Sequence, residues 1–349
     1  MPRFDRKQRE LNRLIREVKS RHFPYKPREE REIDWSKYDQ AQLREINDML
    51  LTIRDAVDEA ALRLGLEEWH PEGPGRPPHP PADMAKALLI QQYFGVSNRV
   101  AAGLVLLFRE KMAIREAPSY KAIERAYEYP EVLAILEEVL RLTQEPLRSV
   151  EHNFAADGTG FPTSVKHNWE RDRDDEQERA SFQKLVVMVG TTCSLVSAAE
   201  FPENPYAHDS PFLEPLLHRT SAVYPSIGVV SLDEAFLSRE NCELIDAVGG
   251  IPRISLKQGI TLKQKGSPAW RQMLLSFLTH PQEWLREYHM RSVVESVFSA
   301  FKRKFQRPLM RRISKRRRTE ALARICTYNL RRLCYLRYLE GLDVGWRAS

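Results

Sequence analysis

Apolar side chains recur every three or four residues over most of this 349-residue chain, and one central stretch departs from that rhythm. Residues 1–65 read as charged helices with thin apolar stripes. From Met84 to about Leu147 the helical period is continuous. It runs through "MAKALLIQQYF" as one amphipathic helix, "SNRVAAGLVLLFREKM" capped by Ser97, "APSYKAIERAYEYP" capped by Ser119, and "PEVLAILEEVLRLT". Short helices joined by tight turns make a small bundle. The 97–127 pair reads equally as a helix-turn-helix or as plain bundle packing, because spacing alone does not identify a recognition helix. Before it, "PEGPGRPPHPP" (71–81) holds six prolines and two glycines, which predicts an extended connection.

The pattern changes at residue 149. "SVEHNFAADGTGF" has a strand-like apolar patch ending in Asp157. A highly charged loop, "NWERDRDDEQERA", comes next. Then "KLVVMVGTT" and "SLVSAAEF" read as two strands joined at Gly190 to Cys193. "DSPFLEPLLHRT" predicts a helix with Ser210 as cap and Pro211 at its first position. "SIGVVSLD" is a nearly continuous apolar run, as expected of a strand covered on both faces, and it ends at Asp233. A helix from about Ser238 to Val248, a strand in "GIPRISLK" and helices from about Trp284 onward complete the order. Strands followed by alternating strand and helix predict an α/β sheet with helices packed on it. The divisions are a charged helical region (1–70), a Pro-rich linker (71–83), a helical domain (84–148), an α/β core (149–305) and a basic C-terminal segment (306–349).

Charge sharpens this picture because it is unevenly placed. The formal charge is only +6, yet ten of the seventeen residues from Lys302 to Arg318 are Lys or Arg and none is acidic. The first 31 residues carry eleven basic and five acidic side chains. Clusters at both ends favour a polyanionic partner, and the alternative is a set of solvated helix faces. The four cysteines (Cys193, Cys242, Cys326, Cys334) are too far apart for a zinc ribbon or a redox pair and read as buried thiols. The longest apolar run, "LVLLF" at 104–108, is far short of a membrane span, and no signal-peptide core is visible. A reduced, cytoplasmic protein is expected.

Asp157 and Asp233 each end a predicted strand, where α/β sheets open onto their binding crevice. Two carboxylates there suit a hard divalent cation, although either Asp alone also fits a turn or cap position. The helix "YHMRSVVESVFSAFK" adds a second line. At about 100° per residue, Arg291, Glu295 and Lys302 fall at about 300°, 340° and 320° from Tyr288. All four therefore share one narrow stripe. Met290, Val293, Val294, Val297, Phe298, Phe301 and Phe305 form the face that packs on the sheet. An i,i+4 pair between Arg291 and Glu295 explains two of the four and leaves Tyr288 and Lys302 without a role.

Tyr288-(2)-Arg291-(3)-Glu295-(6)-Lys302 resembles the Tyr-Arg-Glu-Lys signature of bacterial and archaeal insertion-sequence transposases of the DDE type. "AADGTG" and "VVSLDEAF" look like the family's two aspartate strands, and "YNLRRL" resembles its closing helix. "MAKALLIQQYFGVSNR" with "PSYKAIERA" is similar to the helical region that often precedes the core. The resemblance covers roughly residues 84–340 and leaves out the first 65. It implies an α/β, RNase H-like mixed sheet flanked by helices and preceded by an all-α region. Asp157, Asp233 and Glu295 would then be the catalytic and metal-holding residues, around two Mg²⁺ ions with Mn²⁺ as a substitute.

The resemblance further implies cleavage at transposon ends and strand transfer into target DNA, in a nucleoid-associated prokaryotic protein that works as a homodimer. Tyr288, Arg291 and Lys302 would contact DNA, with Arg303, Lys304, Arg311 and Arg312 extending the track. The terminal repeats would be recognised by the 84–148 helices, as a DNA-end-binding domain, or by the basic N-terminus. An inactive DNA-binding descendant and an RNase H-like nuclease without strand transfer are the rival readings. Two features depart from the family. Ala235 and Phe236 stand where relatives have Gly and Tyr, and only 61 residues separate Asp233 from Glu295, too few for the β-rich insertion of some relatives.

Overall fold

The structure is a computed structural model that describes residues 3–24, 33–69, 78–163, 182–305, 307–343 and 345–346. Most of the proline-rich connection and all of the charged loop at 168–180 lie outside the described residues. The chain opens with α1 (Arg3–Lys19) and α2 (Trp35–Arg63), the latter capped by the Asp34 side chain. Four helices follow: α3 (Pro81–Phe94), α4 (Asn98–Phe108), α5 (Tyr120–Ala126) and α6 (Pro130–Leu142). Ser97 and Ser119 cap α4 and α5 as the sequence predicts, each accepting a bond from the third residue on. The connection between α4 and α5 occupies residues 109–119, too long for the three- or four-residue turn of a helix-turn-helix. Bundle packing is the arrangement found.

Helix α3 departs from expectation: it is buried on nearly every face rather than on one. Its polar side chains are matched one by one. Lys86, only 2% exposed, lies 2.7 Å from Asp58, and Asp83 accepts a bond from the Arg115 amide. Gln91 and Gln92 both bond the hydroxyl of Tyr127.

The central sheet has the order β3-β2-β1-β4-β5. Its strands are β1 (Phe154–Pro162), β2 (Phe182–Gly190), β3 (Val196–Glu200), β4 (Val229–Leu232) and β5 (Ile251–Ile254). β1, β2 and β3 pair antiparallel, while β4 and β5 join in parallel, so the sheet is mixed. Helix α7 (Leu213–Ser221) follows β3 and α8 (Arg239–Ala247) follows the second aspartate strand. Ser238 caps α8, but Ser210 does not cap α7. A 3₁₀ turn, Ser210–Phe212, comes first, and the Ser210 hydroxyl instead accepts a bond from Asn241. This five-stranded mixed sheet with helices around it and a helical region before it is the RNase H-like α/β arrangement.

Helices resume at α9 (Pro268–Thr279), earlier than the sequence reading placed them. They continue through α10 (Pro281–Tyr288), α11 (Ser292–Lys304) and α12 (Ser314–Leu339). Buried apolar side chains form one continuous core from Leu11 to Trp346. All four cysteines are buried. Among the described residues no helix is long and apolar enough to cross a membrane.

The "YNLRRL" segment of α12 has a definite physical role. Asn329 accepts a bond from the Val196 amide and donates to the Val196 carbonyl, as a neighbouring strand would. Tyr328 and Arg332 donate to the carbonyls of Ser194 and Cys193 in the adjoining turn. The helix thus covers the edge strand β3, whose backbone would otherwise be open to pairing with another chain. Asn329→Ala leaves two buried backbone groups unmatched. It should lower the unfolding free energy by about 2–4 kcal/mol in urea denaturation, whereas an unchanged midpoint would show that β3 does not depend on this contact.

Candidate active site

β1 and β4 run in register from Phe154–Val230 to Ala156–Leu232, so Asp157 and Asp233 are the next residues on neighbouring parallel strands. Asp233 follows the last residue of β4, as predicted. Asp157 does not end its strand, because β1 continues to Pro162 on its antiparallel side. What ends at Asp157 is the parallel pairing, and the crevice opens there.

Glu295 reaches the site from α11. The segment read as one helix is broken: α10 stops at Tyr288, a 3₁₀ turn spans His289–Arg291, and α11 starts at Ser292. Ser231 on β4 donates to the Glu287 carbonyl, and Arg253 on β5 donates to the Glu287 carboxylate at 2.6 Å. These bonds hold the end of α10 over the parallel strands and present the turn to Asp157. The Arg291 guanidinium then bridges two of the three acids. Nη1 donates to Asp157 at 2.9 Å and Nη2 donates to Glu295 at 2.6 Å.

The local field follows from these positions. Burial raises Asp157 above the ordinary carboxylate range, and the charges of Asp233 and Asp209 push the same way against the Gly158 amide and Arg291. Burial opposes the charge on Arg291, but Tyr288, Asp157, Glu295 and Asp233 together hold its pKa above the usual value. His289 is shifted down by burial and by Arg291. Among the described residues no three His, Cys, Asp or Glu groups stand as a ready-made metal site. The donor chemistry nevertheless suits a hard cation: Arg291 is itself a cation held between two carboxylates, with the third in its field.

Residues 149–330 match the family described as the transposase DDE domain. The chain belongs to that family. Residues 38–116 match a second family, the transposase domain (DUF772). That match takes in α2, which the sequence reading had left outside the resemblance. The chain is also similar to the probable transposase for insertion sequence element ISA1214 of Archaeoglobus fulgidus. The two are 22% identical over 301 residues, 85% of this chain and 84% of the relative.

Other expected site residues of this transposase are scattered. Tyr288 lies beside Arg291 electrostatically, but its ring stacks on Trp284 at 5.6 Å. Lys302, Arg303 and Arg312 are exposed. Lys304 turns inward, with its ammonium 4.2 Å from the Tyr93 ring centroid and 4.0 Å from Glu45. Arg311 is only 7% exposed; it bonds Glu124, Asn98 and Gln91 and lies over the Tyr127 ring. Lys304 and Arg311 thus tie the C-terminal segment to the helical body instead of facing outward with the other three. A basic run looks uniform in sequence, and only burial separates its two roles.

Two charged residues close to the site had no signal of their own in the sequence. Asp209 meets Lys184 at 2.6 Å, and Lys184 also donates to the Ala207 carbonyl. Asp209 lies where a Cβ on Gly158 would stand 2.4 Å from its carboxylate. The signal was the glycine after Asp157. Side chains alternate along a strand, so Gly158 opens the face opposite Asp157 and lets a second acid approach. The Phe236 ring is fully buried, so its packing does not need a phenol.

Because the folded-state pKa of Asp157 is raised, ionising it opposes folding. Stability is complete below the ordinary carboxylate pKa and declines as pH rises through the elevated one. In the absence of divalent ions, Asp157→Asn should therefore raise the melting temperature at neutral pH, with the gain vanishing in acid. A lower melting temperature at neutral pH would contradict this electrostatic account.

Proposed function

We propose that this transposase cuts DNA at the ends of its element and joins them to target DNA, using Asp157, Asp233 and Glu295 as the acidic centre. The observation that carries this reading is the strand register taken together with the Arg291 bridge. Neighbouring parallel strands supply two acids, and Arg291 binds the first of them and Glu295 together. Two Mg²⁺ ions, or Mn²⁺ in their place, held by these carboxylates would stabilise the entering and leaving oxygens of an in-line displacement. In the first reaction water displaces the 3′ oxygen at the end of the element. In the second the freed 3′-hydroxyl displaces a 3′ oxygen in the target, so one phosphodiester forms as another breaks.

The protein's own groups supply position. Arg291 balances the acids at rest, and its release frees a planar fork for a phosphate beside the scissile bond. Lys302 lies two turns along α11 from Glu295 and adds a point charge on the same side. Arg303 and Arg312 extend that contact along the backbone, giving affinity without sequence information. The Tyr288 ring, already stacked on Trp284, offers a platform edge for a nucleotide displaced near the cut. Two ends must be brought together, so a homodimer is the working assembly.

Asp157→Ala, Asp233→Ala and Glu295→Ala should each reduce Mg²⁺-dependent cutting of end-containing DNA by more than about 10²-fold, with binding retained. Cutting by any one at the wild-type rate would remove that residue from the centre. A joined product in the same assay separates a transposase from a plain nuclease. Arg291→Gln and Lys302→Gln should each lower the slope of log affinity against log salt by about 0.9; unchanged slopes would exclude phosphate contacts.

A further inference from the structure

Helix α1 lies outside both family matches, and nothing in the proposed chemistry uses it. Leu11, Leu14 and Ile15 are buried, and the helix packs along α9. Gln8 donates to the Ile260 carbonyl at 2.7 Å and accepts from the Leu262 amide at 2.9 Å, which fixes the rotation of the helix. Beyond its end, Phe23 is buried and Gln282 donates to the Pro24 carbonyl. The last residue, Lys19, meets Glu234 at 2.5 Å. Glu234 directly follows Asp233, so α1 ends beside the acidic centre.

The face left outside is basic. Arg6, Arg9, Arg13, Arg16 and Lys19 are all exposed, at intervals of three, four, three and three, which lines them along one side of a helix. Arg13 is partly balanced by Glu10 and Glu17 at 3.8 and 3.9 Å. From Arg6 to Lys19 the row spans about 20 Å, roughly six base pairs of duplex rise. Helix stability does not account for it. Cations near a helix C-terminus complement the macrodipole, but residues 6–9 carry three basic side chains and no acidic one towards the opposite pole, where positive charge is unfavourable. Nor does a membrane surface fit, since the apolar face that would enter lipid is already buried against the protein.

We infer that the basic face of α1 grips the backbone of duplex DNA next to the proposed cutting site, as a rail leading away from Asp233. The inference rests on the proposed function for the position of the cut, though not for DNA contact itself. Such a rail holds phosphates as point charges and carries no base specificity.

The test uses the full chain and duplex DNA of arbitrary sequence, with affinity measured across a salt series. Replacing Arg6, Arg9 and Arg16 together by Gln should reduce the salt slope by about 2–3, roughly 0.9 for each lost contact. The matching Arg→Lys triple should keep the wild-type slope, because phosphate needs only the charge; loss of slope with Lys would overturn the point-charge rail. An unchanged slope in the Gln triple, with an unchanged melting temperature, would also overturn it. So would loss of binding to phosphatidylserine vesicles in that triple while DNA binding stayed intact. Since the native cysteines are buried, Arg16→Cys carrying an iron-chelate reagent gives a second readout. On end-containing DNA it should break the backbone within a few base pairs of the Mg²⁺-dependent cut, and breaks only at distant positions would place α1 elsewhere. Asp157→Ala should lose cutting with its salt slope intact, so failure of the chemistry and failure of the rail give different results.

Discussion

Carboxylates brought together on adjacent strands repel one another. The region around the acidic centre is organised to hold that repulsion in check. Arg291 lies between Asp157 and Glu295 with Asp233 in its field, and its guanidinium gains from all three. It reaches this position because the chain between α10 and α11 forms a 3₁₀ turn instead of one continuous helix. That turn in turn depends on Glu287, held by Ser231 and Arg253 from the two parallel strands.

A second set of charges, buried or partly buried, joins the helical region to the C-terminal segment and α12. Burial would raise Glu45 on α2, but bonds from Arg331, Tyr335 and Tyr93 hold it down at about 2. Arg316 bonds Glu124 and Glu128, Arg324 bonds Glu320 and Gln92, and Arg311 meets Glu124. Arg311, Arg324 and Glu320 are buried, so removing a partner there leaves an uncompensated charge, and these contacts favour one docking geometry over others. Through them the segment that follows the Glu295 helix is tied to α3, α4 and α5. Of the ten basic residues from Lys302 to Arg318, Lys304, Arg311 and Arg316 are therefore held by contacts within the protein.

Much was legible in local patterns. The succession of strands followed from apolar runs and turn residues, the caps Ser97 and Ser119 from their chemistry, and the buried face of α11 from its period. The site was legible in part. The spacing of Arg291 and Glu295 pointed to one helix edge, and the pairing exists, but the helix starts after Arg291 and Tyr288 belongs to the one before. A wheel drawn across a 3₁₀ turn loses its phase. Asp209 and Lys184 were not legible, because their meeting depends on a bare strand face at Gly158 and on chain segments far apart in sequence.

By itself the amino-acid order determined which segments form strands and helices, which faces are apolar, and which acidic and basic residues were available for chemistry. Those properties arise from periods and cap residues within a few positions of each other. The tertiary structure alone decided that Arg291 would bridge two acids, that Lys304 and Arg311 would turn inward while Lys302, Arg303 and Arg312 stayed out, and that α1 would end beside Asp233. Burial and long-range charge pairing are set by what packs against a residue, and no local pattern encodes its neighbour across the fold.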